Sequence, residues 1–257
     1  MRVVAVDWSG AATGAAKHIW AAHVVDGTLT ELRGGRDRAQ VIADLCSLRG
    51  HSPEGLAVGL DFAFSMPAWF LGDRGYEDVG ALWSAVASAG ESWLAECQSP
   101  FWGRPGRRRP ELPEHFRAAE RHIAVGGIGP KSVFQIGGAG AVGTGSLRGM
   151  PYLATLRRAG FSIWPLDRPS RWSVVEIYPR LLTGPLHKRN RDDRVAYLEH
   201  SAWPELAHHA CIESEDAFDA VISALVMDRH RDHLRHLGQT SDPITRLEGE
   251  VWRPPTI

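Results

Sequence analysis

The sequence predicts an α/β domain on a mixed sheet, and three observations carry that prediction. Two short apolar runs, Arg2 to Val6 and Gly55 to Leu60, each stop on an aspartate, Asp7 and Asp61. Between them lie a hairpin signal, Asp26-Gly27, and one stretch of helical periodicity. A helix between two buried strands is the crossover that parallel neighbours need.

The elements follow in order. Arg2 to Asp7 is rich in valine and is bounded by Ser9 and Gly10, so it reads as a buried strand with Asp7 at its C-terminal end. Ligands bind at that edge of open α/β sheets; the alternative is an aspartate that caps a turn. His18 to Val25 and Thr28 to Leu32 flank Asp26-Gly27 as an antiparallel hairpin. Val41, Ile42, Leu45 and Leu48 fall at helical spacing, with Gly50 as a stop. Gly55 to Phe62 should then pair in parallel with the first strand. Ser65-Met66-Pro67 opens a helix with Pro67 near its first position. Further helices are expected at Asp78 to Cys97 and Glu114 to Ile123.

Arg104 to Pro110 is basic and rich in breakers, hence an exposed loop, either merely solvated or in contact with phosphate. The glycine-rich run Gly126 to Gly149 follows, then a helix at Tyr152 to Ala159 and strands at Phe161 to Trp164 and Trp172 to Tyr178. Two charged helical stretches and a helix from Ser214 to Leu234 complete the body. No internal repeat divides the 257 residues, so one domain is expected, with the middle third, 66–150, as an insertion.

The totals exclude some classes of function. With 44% hydrophobic and 23% charged residues the chain is of ordinary globular composition, and a net charge of −1 supplies no bulk attraction to nucleic acid. Cys46, Cys97 and Cys211 are far apart and odd in number, which suits a reducing compartment and no disulfide framework. No apolar run approaches a membrane span and none of signal-peptide type opens the chain, so the expected location is the cytoplasm. The ten tryptophans are scattered singly and read as packing.

The chemistry concentrates in acids. Asp216 and Asp219, three apart at a helix start, share one face, and Ala217, Ala220 and Ala224 let that helix approach a sheet. Acids in a first turn also stabilise the helix dipole, which is the plainer explanation of the pair. Together with Asp7 and Asp61, however, they form a set that repels itself unless a cation holds it. Oxygen ligands of this kind suit Mg²⁺ or Mn²⁺, and two such ions serve phosphodiester cleavage. Glu176 ends another strand, either as an extra ligand or as a buried acid paired with an arginine such as Arg180.

Two glycine patterns compete. Gly129-Pro130-Lys131-Ser132 fails as a P-loop, because Pro130 and Val125 stand where glycines are required. Gly138 to Gly143 satisfies G-x-G-x-x-G, but Gly145, Gly149 and Pro151 should interrupt the helix that a dinucleotide needs. A loop that closes on substrate fits these glycines, as does a purely structural one. His18, His23, His230, His233 and His236 lack a ligand pattern.

The ordered set Val6-Asp7-Trp8-Ser9-Gly10, Gly59-Leu60-Asp61-Phe62, Lys131-Ser132 with Gly137 to Ser146, Val175 to Pro179, and Asp216-Ala217-Phe218-Asp219-Ala220 resembles the ribonuclease-H-like superfamily. Within it, the chain looks like the bacterial domain-of-unknown-function family 429, described as predicted nucleases. The resemblance spans nearly the whole chain and implies a mixed five-stranded sheet flanked by helices. It also implies a Mg²⁺- or Mn²⁺-dependent nuclease acting on nucleic acid, and a homodimer, as junction-resolving relatives commonly form. Asp7 would bridge two metals, Asp61 would bind one, and Asp216 and Asp219 would complete the shells. Glu176 would be the further catalytic acid, and Ser9, Lys131, Ser132, Gly140 and Gly143 would face substrate. The rival readings are an actin-like phosphotransferase or ATPase, which usually needs two facing copies of the fold, and a nucleic-acid-binding protein that keeps only the fold.

Overall fold

The computed structural model describes residues 1–121, 123–199 and 205–255. Its centre is a six-stranded mixed sheet in the order β3-β2-β1-β4-β6-β5. β1 (Arg2–Asp7), β2 (Trp20–Val25) and β3 (Thr28–Gly34) are antiparallel neighbours, joined at the last turn by Asp26 and Gly27, both at positive φ as a tight hairpin requires. α1 (Arg38–Gly50), capped by the Asp37 carboxylate, crosses to β4 (Leu56–Leu60), which lies parallel to β1 with Ala5 beside Gly59. β5 (Ser162–Ile163) and β6 (Trp172–Glu176) extend the parallel half. The sheet thus has six strands rather than the five that the resemblance implies, and its two-residue edge strand β5 falls within the Phe161 to Trp164 stretch expected to be a strand.

Alternation along the strands sorts two cores. Val4, Val6, Val58, Leu60 and Val174 face one way, against α1, α3 (Val79–Glu96) and α4 (Val142–Arg158). Val3, Ala5, Ala57 and Val175 face the other way. There they meet α5 (Pro179–Thr183), α7 (Glu205–Glu213) and α8 (Glu215–Arg229). α8 comes close because β4 carries Gly59, where an added Cβ would stand 2.6 Å from the Met227 sulfur. The remaining helices, α2 (Ala68–Asp73), α6 (Arg191–Glu199), α9 (Arg231–Arg235) and α10 (Pro243–Glu248), are short. Among the described residues, no helix is long and apolar enough to cross a membrane.

Several expectations need correction. Pro67 is the N-cap of α2, one residue before the position expected. Over 114–123, of which His122 lies outside the described residues, there is only a 3-10 turn, Ala118–Glu120. The Arg117 side chain is fully buried there and bonded to Glu120, and that anchoring replaces an amphipathic face. The helix expected from Ser214 to Leu234 breaks at His230 into α8 and α9.

The largest difference is α4. It starts at Val142, ten residues before the expected Tyr152, and runs through Gly143, Gly145, Gly149 and Pro151. Propensity argues against such a helix, and close packing outweighs it. An added Cβ at Gly143 would stand 2.2 Å from the Val133 carbonyl oxygen, and one at Gly149 would stand 2.6 Å from the Phe62 ring. The glycines let α4 lie on the loop after β4, where the Ala63 N–H donates to the Ser146 hydroxyl. A helix therefore does follow the G-x-G-x-x-G run. Val133 to Ile136 nonetheless joins no strand of the sheet and makes one isolated bridge, Trp102 to Gln135, so the dinucleotide arrangement is not formed.

This packing reverses the usual sign of a glycine substitution. Alanine in a helix interior is favoured over glycine by about 1 kcal/mol, and Gly145→Ala, whose Cβ would meet nothing closer than 3.8 Å, should show that gain. Gly143→Ala must displace backbone, and a net loss of about 2 kcal/mol is expected. Urea midpoints of the two variants check the contrast.

Candidate functional site

β1 and β4 end side by side, and the Asp61 N–H donates to the Val6 carbonyl at 3.1 Å. Asp7 continues the face of Val3 and Ala5, and Asp61 that of Ala57 and Gly59, so both carboxylates lie on the α8 side of the sheet. Ser214 caps α8 by accepting from the Ala217 N–H, which turns Asp216 and Asp219 toward the strand ends. Asp219 is buried at 3% exposure and Asp7 at 8%, while Asp61 and Asp216 sit at the rim.

The electrostatics follow from that crowding. Burial lifts the Asp7 carboxyl well above its ordinary range, and Asp219, Asp61 and Asp216 add to the shift. Asp61 is pushed up to about 7, first by burial, with Lys188 opposing and Asp219 adding. Asp219 rises to about 6, again through burial, against the pull of Lys188. One Asp219 oxygen is paired with the Lys188 ammonium, and the other, Oδ1, is buried with no partner. A buried carboxylate oxygen without a donor is a costly state.

Lys188 was not singled out by sequence. It lies in the stretch between α5 and α6, within a run of charges that reads as a solvated face. Buried Arg194 fixes it, donating to the Lys188 carbonyl and to the Cys211 and Ile212 carbonyls at the end of α7. Burial works against its charge, yet Asp219, Asp61 and Asp7 hold its pKa above the usual lysine value.

Glu176 does not join the group. It pairs across the sheet with Leu60 rather than Asp61, one residue earlier along the strand, and so faces the opposite core. Its partner is Arg117, not the expected Arg180, which donates to the Gly184 and Leu186 carbonyls instead. The Phe64 N–H donates to Glu176 at 2.9 Å, and Arg117 also holds Glu120. Burial raises the Glu176 carboxyl while Arg117 opposes the rise.

The residues expected to face substrate divide. Lys131 is exposed and lines, with Asp61, Tyr178, Val133 and Val142, a cleft of about 40 Å³, room for ordered water or an ion. Gly140, at positive φ, packs its backbone beside the Lys131 chain. Ser132 is buried, donates to the His115 carbonyl and accepts from Phe134 N–H, and Gly143 is a packing point of α4. Ser9 accepts from the Ala11 N–H, in a loop held by Arg38 at the Ser9 carbonyl and by Arg148 at the Gly10 carbonyl. His18, which has no ligand pattern in the sequence, stands 3.3 Å from Asp216. The three cysteines are free, as expected.

The donor set is all oxygen, and its unpartnered Asp219 Oδ1 fits a hard cation better than the ammonium alone. Among the described residues, no three His, Cys, Asp or Glu side chains already stand together as a cation cage. Compared with protein-family models, curated proteins and solved structures, the chain matches none of them.

The raised carboxyls give a signed pH dependence. Asp61 binds its proton up to about pH 7 when folded but only to about 3.8 when unfolded, so the folded state loses stability as pH rises between those values. In chelator, Asp61→Asn should leave stability unchanged near the lower limit. At pH well above the upper one it should raise stability by on the order of 2 kcal/mol. Calorimetric melts at both pH values test this.

Proposed function

We propose that this chain is a Mg²⁺- or Mn²⁺-dependent nuclease of ribonuclease-H-like type, hydrolysing phosphodiester bonds of nucleic acid. The observation that carries the reading is the meeting of Asp7, Asp61 and Asp219 on one face at the strand ends, with the Asp219 Oδ1 oxygen buried and unpartnered. Acids from two parallel strand ends and a helix packed across them agree with what the resemblance to family 429 implies. So does the order of the central strands, a three-stranded antiparallel opening followed by parallel β4 and β6.

In this reading Asp7, Asp61 and Asp219 hold the ions and Asp216 closes the rim. Divalent ions held by these carboxylates would activate water at neutral pH and stabilise negative charge on the departing oxygen. The protein residues do the rest. Lys188 neutralises the acids through Asp219, and its long, flexible chain would let its ammonium turn toward a substrate phosphate were a cation held by the acids. Lys131, exposed on the same cleft, meets the phosphate from the other side. Arg38 and Arg148 hold the loop at Ser9 and Gly10 against α4, keeping Asp7 in position. Glu176, spent on Arg117, supports the wall of the cleft without touching the reacting atoms.

The decisive experiment is Mn²⁺ titration by calorimetry on wild type and Asp7→Asn, followed by cleavage of a mixed nucleic-acid panel at saturating metal. Wild type should bind and cleave. Asp7→Asn should lose cleavage by more than about a hundredfold, beyond the effect of removing an outer-shell partner, while melting no lower than wild type. Cleavage that survives in folded Asp7→Asn would sink the reading.

Lys188→Met separates counterion from catalyst. In chelator at pH 8 it should lose about 2 kcal/mol of stability, since Asp219 keeps its charge without a partner. Excess Mn²⁺ should restore most of that loss, and a melt that ignores metal would contradict the assignment.

A further inference from the structure

The basic segment 104–110 has a structural setting that the nuclease reading does not use. Arg104, Arg107, Arg108 and Arg109 are all exposed. Among the described residues, the side chains of Arg104, Arg107 and Arg108 make no ion pair or hydrogen bond. Arg109 stands over Trp102 at 5.8 Å and Phe116 at 6.0 Å. Of the acids in the same stretch of chain, Glu114 is taken by the His115 and Phe116 N–H groups and by Arg121, and Glu111 is exposed.

The loop has a firm base. The Gly103 N–H donates to the Arg107 carbonyl at 2.9 Å and the Arg107 N–H to the Arg104 carbonyl at 2.8 Å. Beneath it, Trp102 exchanges backbone bonds with Phe134 and Ile136 at 3.1 and 2.9 Å. Residues 133 to 142 also wall the acidic cleft, through Val133 and Val142. The arginines therefore stand on the same segment that borders Asp61.

Pro100 and Leu112, which flank the loop in sequence, line a second cleft of about 330 Å³ together with Trp69, Phe70, Arg74 and the carboxylate of Asp73. Trp69 packs at 5.5 Å on buried Phe134, the chain neighbour of the Val133 that lines the acidic cleft. Arg74 covers the Phe70 ring at 4.4 Å at the rim. The volume suits a planar aromatic group. Cationic groups along a track, with aromatic rings beside it, are how proteins hold unpaired nucleic acid: phosphates meet arginine and bases meet rings. A duplex keeps its bases paired and stacked, out of reach of such a cleft.

We infer that the arginine loop and the Trp69–Phe70 cleft form a guide for a single strand of nucleic acid, leading its backbone past Lys131 to Asp61. The inference rests on the nuclease reading and names its substrate class. It also explains how a chain of net charge −1 attracts a polyanion: the positive charge is local.

The test is anisotropy with labelled single strands and the matching duplexes in chelator, where nothing is cut, over a range of salt. Single strands should bind more tightly than duplexes. Arg104→Ser/Arg107→Ser/Arg108→Ser, which removes no contact within the fold, should weaken single-strand binding about tenfold or more. It should also lower the slope of log K against log salt by about 2, three phosphate contacts at about 0.7 each. Arg74→Glu should erase the preference for single strands. An unchanged salt slope in the triple variant, tighter binding of duplex, or equal binding of polyglutamate overturns the inference. Binding without cleavage in Mn²⁺ would sink the nuclease reading and leave the guide standing; undiminished cleavage by the triple variant would do the reverse.

Discussion

Like charges held together against their repulsion are the constraint on which this structure turns. Parallel pairing of β1 with β4 sets Asp7 beside Asp61, and α8 brings Asp219 onto them. That approach needs Gly59 in β4 and Ala217, Ala220 and Ala224 in α8, all small and all buried. Asp228, at the far end of α8, accepts from the Gly27 N–H at 2.8 Å and so ties the helix to the β2–β3 turn. The helix that carries the third acid is anchored at both ends: Ser214 caps one, and the hairpin holds the other. Without that anchoring the acids would separate and the repulsion would relax.

A second group of buried charges shows what the first one lacks. Arg117 is matched by Glu120 and Glu176, and Glu248 accepts from the backbone N–H groups of Ala68 and Ala118. This cluster joins the segment before β5, the end of β6 and the C-terminal tail, whose Trp252 N–H donates to the Glu176 carbonyl. Buried charges with all their partners present serve structure. The Asp219 carboxylate has an ammonium on one oxygen and nothing on the other. Buried carboxylates on opposite faces of one sheet are thus committed in one place and available in the other.

Much of this was legible, because strand ends and caps announce themselves locally. Asp7 and Asp61 close apolar runs, Asp26-Gly27 allows one kind of turn, and Ser214 begins α8. What was not legible depends on contacts distant in sequence. α4 looks broken because its glycines and Pro151 are poor helix formers, and only the facing carbonyl of Val133 and ring of Phe62 explain them. Glu176 looked equivalent to Asp61 until the register placed it one residue short, on the other face. Lys188 was hidden in a charge-rich run, since nothing local shows that Arg194 turns that segment toward the acids. Arg117 was missed for the same reason, because a buried arginine is recognised by its partners.

The pattern of satisfied and unsatisfied charge also bears on the rivals. A protein that retained the fold without the chemistry would have no use for three crowded carboxylates, whose protons are held far above their ordinary range at the expense of stability near neutral pH. Asparagine at those positions would fill the same space and end the repulsion. A phosphotransferase of actin-like type usually needs a second copy of the sheet facing the first, and the described residues form one sheet. Local rules are broken in folded proteins chiefly where function requires it. One such breach lies at the strand edge where β1, β4 and α8 meet and where the Lys131 cleft opens.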